Sequence, residues 1–183
     1  MVAIRIHEGK VLARERTPVQ ALGGADEPAP RSLHMQQLIR QIKGAISEKI
    51  NGVDIDMETD ALASLSFVHP AHRATVLIIG EQGDTRQPVP TVAVFVLIDD
   101  WLDVQKDPTA VTRLLQLNTA LMSCAIGVVQ LNDDEMATAL CRRLPAADVD
   151  PATVLDLIEG MVWEYANAAG FIESAEMAAV AEA

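Results

Sequence analysis

Two cysteines, four histidines and 26 acidic residues are the groups with which this chain of 183 residues could do chemistry. Cys124 and Cys141 are too few for a disulfide framework and read as two buried thiols in a reducing compartment. They flank a stretch that reads as a hairpin. A turn centred between Asp133 and Asp134 sets Cys141 opposite Ile126 rather than Cys124, so the register does not favour a redox pair. His69 and His72 bracket Pro70 and Ala71, and no Cys, Asp or Glu completes a zinc set at ligand spacing. They read as a polar turn, and His7 and His34 stand alone. Asp54, Asp56, Glu58 and Asp60 alternate as in a calcium loop. A loop starting at Asp54 needs Gly at 59 and Glu at 65, where the chain has Thr59 and Leu65. A solvated acidic connection is the better reading, and neither a metal nor a cofactor is expected.

No GxGxxG, Walker A, GxSxG or HExxH motif occurs, and no Ser–His or Cys–His pair is suggested by spacing. The chain therefore reads as a non-enzyme. Asn118 lies on the apolar stripe between Leu114 and Met122, where an amide is best used to bond the backbone of the following loop. Trp101 sits among Asp99, Asp100 and Asp103. It reads as a half-buried strand exit, with an anchor for a basic polypeptide as the alternative.

The charge balance is 14 basic against 26 acidic residues, a net −12. Binding to nucleic acid or to an anionic membrane needs clustered cations, so neither is expected. No apolar h-region follows Met1, and the longest weakly polar stretch, Ala120 to Val129, is too short to span a bilayer. A cytoplasmic protein is expected. Half the residues are apolar but only six are aromatic, so aliphatic side chains must fill the core.

The elements that would position these residues follow from periodicity. Residues 1–16 alternate through Val2, Ile4, Ile6 and Val11 and read as a hairpin or edge arm. Pro18, Gly23, Gly24, Pro28 and Pro30 mark a linker, so 1–31 form an arm and linker. A helix from Ser32 as N-cap to about Lys49 buries Met35, Leu38, Ile39, Ile42 and Ile46. Strands follow at Leu62–Val68, Thr75–Ile79 and Val92–Ile98. Asp107-Pro108 opens a second helix, Ile126–Leu131 and Met136–Arg142 form the hairpin, and Asp150-Pro151 opens the last helix. The main domain spans 32–172, and 173–183 read as an acidic, frayed tail. The order α-β-β-β-α-β-β-α predicts an α+β fold: one antiparallel sheet of about five strands with three helices.

Leu114-Leu115-Gln116-Leu117-Asn118, then a hairpin, Leu144-Pro145 and a helix from Asp150-Pro151 resemble the type III secretion chaperone fold. More particularly they resemble the YbjN family that shares it, as do Arg73-Ala74-Thr75-Val76 and the apolar strand Val92–Ile98. The resemblance covers about residues 32–172, and Leu114, Leu115 and Asn118 are its structural motif. It implies a small acidic cytoplasmic homodimer that binds segments of other polypeptides, as a chaperone or as a regulator of stress and motility responses.

One pattern supports binding independently. Val92 to Ile98 and Val76 to Ile79 do not alternate between apolar and polar, so both faces of these strands must be covered. Helices of the same chain, a second subunit or a client can supply the cover. Val92, Val94, Phe95, Val96 and Trp101 are thus the candidate contacts for a client or a dimer partner. The alternative is a regulatory or structural dimer with a small ligand or no extended client, whose own helices close the sheet.

Overall fold

The computed structural model describes residues 5–7, 10–13, 30–58, 63–82, 89–98, 116–130 and 136–181. Its fold is α+β. Strands β1 (Arg5–His7) and β2 (Lys10–Ala13) form a two-stranded antiparallel sheet of their own. Helix α1 (Pro30–Lys49) follows. It starts two residues before the expected cap, because Pro30 suits a first helical position and Ser32 falls inside the helix. Gly52, with φ +75°, turns the chain out of this helix in a conformation that glycine adopts at little cost.

The main sheet has six strands rather than five. The extra one is β3 (Asp56–Glu58), where an acidic connection was expected. Its pairing with β4 (Ser64–Val68) is Asp56↔Ser66, Met57↔Leu65 and Glu58↔Ser64. Met57 is half-buried against the core and Ile55 just before it is buried, so the acidic residues hide a short edge strand. Strands β5 (Thr75–Glu81), β6 (Thr91–Ile98), β7 (Ala125–Gln130) and β8 (Met136–Pro145) complete the sheet. The spatial order is β3-β4-β5-β6-β8-β7, antiparallel throughout. β8 therefore lies beside β6, and β7 is an outer edge. Helix α2 (Pro151–Ala181) closes the chain and is helical through most of the expected tail.

Asp150 caps α2 as its sequence predicts. Its Oδ1 accepts the N–H groups of Ala152 at 2.9 Å and Thr153 at 3.0 Å, and its Oδ2 accepts the Thr153 hydroxyl. These bonds hold the carboxyl below the ordinary aspartate range, the Thr153 hydroxyl contributing most.

Helices α1 and α2 lie on one face of the sheet; the helix expected from Asp107-Pro108 begins outside the described residues. Ile39, Ile42 and Ile46 of α1 and Val154, Ile158 and Met161 of α2 pack in one cluster with Leu65, Val76, Val94 and Leu140. A second cluster, Leu77, Ile79, Ala93, Phe95, Leu97 and Ala139, occupies the opposite face. All eight residues of β6 are buried. The inference from non-alternation therefore holds: the central strands are covered on both sides, and within a single chain.

Helix α1 packs tightly on the sheet at Gly80 of β5. A Cβ there would clash with the Met35 side chain and lie 3.3 Å from the Ala63 carbonyl oxygen. Gly80→Ala is expected to destabilise the fold by about 1–3 kcal/mol, because Met35 must leave its place and the Ala63 backbone bonds Gly80 N–H. Urea denaturation checks this.

Candidate functional site

The densest polar arrangement among the described side chains centres on Glu164 of α2. The sequence places Glu164 on the inward stripe with Leu157, Met161 and Ala168, and it is 8% exposed. Its Oε1 accepts the N–H of Met122 at 3.2 Å, the N–H of Ser123 at 2.8 Å and the Ser123 hydroxyl at 2.7 Å. Its Oε2 accepts the Cys124 thiol at 3.0 Å. Gly160, one turn earlier, lies beside Ser123, and a Cβ there would make only an ordinary contact with Ser123 Oγ at 3.8 Å. A buried carboxylate is tolerable only with such partners. Burial pushes the Glu164 carboxyl up, but the bonds from Cys124, Ser123 and Met122 outweigh it and hold it below the ordinary range.

The same geometry decides the chemistry of Cys124. Burial first, then the hydrogen bond to Glu164 and its negative charge, push the thiol far above the ordinary range. A thiol kept protonated is a poor nucleophile. Glu164, engaged by four donors, is a clamp that holds residues 122–124 against α2.

Asn118 is the second clamp. Its Oδ1 accepts the N–H of Ile126 at 2.6 Å, and its Nδ2 donates to the Ile126 carbonyl at 3.4 Å. The amide thus pairs like a strand residue and fixes where β7 begins, the backbone role its position on the stripe suggested. Asn118→Ala leaves the Ile126 N–H without this acceptor and is expected to cost about 1–2 kcal/mol, read by thermal denaturation.

The hairpin register differs by one residue from the sequence reading. Ala125 faces Cys141, and Ile126 faces Leu140. The connection between Gln130 and Met136 has five residues, an odd number, where a symmetric four-residue turn was expected. Both cysteines are free. Cys124 packs with the helix-side cluster and Cys141 with the opposite one. Burial also raises the Cys141 thiol, with Arg143 opposing it.

His69 is not an exposed turn residue. It is 3% exposed, and its Nε2 lies 3.3 Å from Glu159 Oε1 on α2. A hydrogen on Nε2 would be donated to Glu159, and the buried Nδ1 has no partner among the described residues. His72 is exposed. Asp56 and Glu58, two of the four alternating carboxylates, lie in β3, and the described residues contain no group able to hold a metal ion.

The candidate contact residues divide between the two faces. Val92, Val94 and Val96 lie beneath α1 and α2, each 0% exposed. Phe95 lies on the opposite face at 4% exposure. The Arg143 guanidinium stands 5.7 Å from its ring centre. Glu81 Oε2 accepts from Arg143 Nε and from the Thr91 hydroxyl, each at 3.0 Å. Any client of these four residues would have to displace what covers them. Trp101, Leu114 and Leu115 lie outside the described residues, as do Asp99, Asp100 and Asp103.

Two features were not singled out from the sequence. The outer edge of β7 pairs with no further strand among the described residues. Asn118 takes its backbone groups at Ile126 and leaves the edge beyond that residue without a strand partner, and the sequence Ala-Ile-Gly-Val-Val-Gln carries no charge. Trp163 of α2 is 64% exposed. Met122, which the sequence sets at the end of an apolar stripe, is not buried but 90% exposed, because its N–H is drawn to Glu164 in the loop after that stripe. Compared with family models and with curated proteins, the chain matches none. No described helix is long and apolar enough to cross a membrane.

Proposed function

We propose that this is a non-enzymatic polypeptide-binding protein of the type III secretion chaperone-like, YbjN-like kind, acting as a homodimer in the cytoplasm. The observation that carries the reading is the outer edge of β7. An uncharged strand without proline, with no strand beside its outer edge among the described residues and its backbone groups beyond Ile126 not taken by Asn118, is a template for a further strand. The clamps at Asn118 and Glu164 hold its entry in place, so the edge is presented ready-formed. An extended segment would bond alternate backbone groups of β7, with specificity from side chains beside it. The acidic surface would select against anionic segments.

The burial of β6 on both faces favours a second reading, a regulatory or structural dimer without an extended client. Affinity capture from the native cytoplasm, followed by hydrogen exchange on the recovered complex, separates the two. The first reading expects a client that adds protection at residues 127–130, beyond the Ile126 amide that Asn118 already holds. Recovery of the protein alone, or a client that leaves those amides unprotected, would overturn it.

A further inference from the structure

The exposed stripe of α2 has an unusual composition. Asp156, Glu159 and Trp163 follow one another at helical spacing and all are exposed. Met122 adds a second exposed apolar side chain from the loop held on the same helix. From Leu144 to Ala183 the chain has eight acidic residues and no Lys or Arg. A second copy of this stripe would be repelled by it, so whatever covers Trp163 must bring cations together with apolar surface.

One segment of the chain has both. Residues 1–16 carry Arg5, Lys10, Arg14 and Arg16 against Glu8 and Glu15, a net +2, which leaves −14 on the remainder. The segment also carries Ile4, Ile6, Val11 and Leu12. Helix α1 is basic too, but its apolar face is already used in the core. The β1–β2 hairpin pairs with no strand of the main sheet, and an isolated two-stranded hairpin is marginal in water. Sixteen residues separate Ala13 from Pro30, a tether that reaches at most about 55 Å when extended. That exceeds the diameter of a small domain.

We propose that the basic N-terminal arm of a second copy docks on the Asp156–Glu159–Trp163 face of α2, so that two chains exchange arms. The arm's cations meet Asp156 and Glu159, and its aliphatic residues lie against Trp163 and Met122. Trp163 is open in the single chain because its cover comes from the partner. This does not depend on a client at β7.

The test uses the full chain. Natural-abundance and 15N-labelled protein are unfolded in urea, mixed 1:1 and refolded together so that the subunits scramble. The mixture is then treated with a carbodiimide, which joins a lysine amine to a carboxylate, and analysed by mass spectrometry. The expected product joins Lys10 to Asp156 or Glu159, with half of the pairs of mixed isotope. In parallel, full-chain R5E/K10E/R14E/R16E should weaken dimerisation at least tenfold in sedimentation equilibrium, with an unchanged circular dichroism spectrum. Cross-links only between like isotopes would place the arm on its own chain and overturn the proposal. So would cross-links from Lys43 or Lys49 of α1 in place of Lys10, or a dimer indifferent to arm charge.

Discussion

Glu164→Ala is expected to destabilise the protein by about 3 kcal/mol or more, with melting temperature and urea midpoint falling together. The variant removes the acceptor of four donors: Met122 N–H, Ser123 N–H, the Ser123 hydroxyl and the Cys124 thiol. Each buried donor left unsatisfied costs about 1–3 kcal/mol. Met122 is nearly fully exposed, so water can reach part of the vacated site and the sum will not be realised in full. Glu164→Gln keeps one carbonyl oxygen but turns an amide N–H₂ toward donors, so it should recover less than half of the loss.

The pH dependence has a definite sign. The carboxyl of Glu164 is held below its ordinary value, because the hydrogen bonds it accepts outweigh the effect of burial. Its contribution is therefore present above the unfolded-state value of about 4.3 and is lost as pH falls through the lower folded value. Wild type should lose more stability than Glu164→Gln between neutral pH and that acidic window. Cys124 acts at the other end. Its thiol is raised, so folding is favoured below the ordinary thiol value of about 8.5, and that contribution falls as pH rises above it. Glu164→Gln should also label faster at Cys124 with a thiol reagent at pH 8, since the charge that suppresses ionisation is gone.

What the sequence made legible and what it hid have physical reasons. The uninterrupted apolar run Val92–Ile98 could only be a strand buried on both faces, and it is. Asp150-Pro151 starts a helix because the carboxylate can reach two free N–H groups, and it does. Asn118 on an apolar stripe had to satisfy its amide, and it pairs with the Ile126 backbone. β3 was hidden because Asp56 and Glu58 flank a single apolar residue, and three residues are too few to display a period. The hairpin register depended on whether the loop was even or odd, which no side chain announced. Glu164 is one of 26 acidic residues and nothing in its type sets it apart, although its spacing from Met161 and Ala168 puts it on the buried stripe. A charge on such a stripe marks either a fault or a partner, and here it marks four partners.

Phe95→Ala is expected to cost about 3–5 kcal/mol, because the ring is 4% exposed in a packed cluster with Leu77, Ala93, Leu97 and Ala139. Arg143→Ala should cost about 1 kcal/mol or less. Its side chain is 47% exposed, and its contacts with the ring and with Glu81 are screened by water. The contrast bears on function. If this face were a surface kept open for a client, truncating Phe95 would leave the free protein nearly as stable and would remove binding. As part of the core of a single chain, it unfolds the protein first and affects binding only through the folded fraction. Urea midpoints of the two variants measure the difference. A Phe95→Ala loss below about 1 kcal/mol would return the second face of the sheet to the candidate binding surfaces. A loss in the expected range leaves the β7 edge and the Trp163 face, among the described residues, as places where a polypeptide could be held without opening the core.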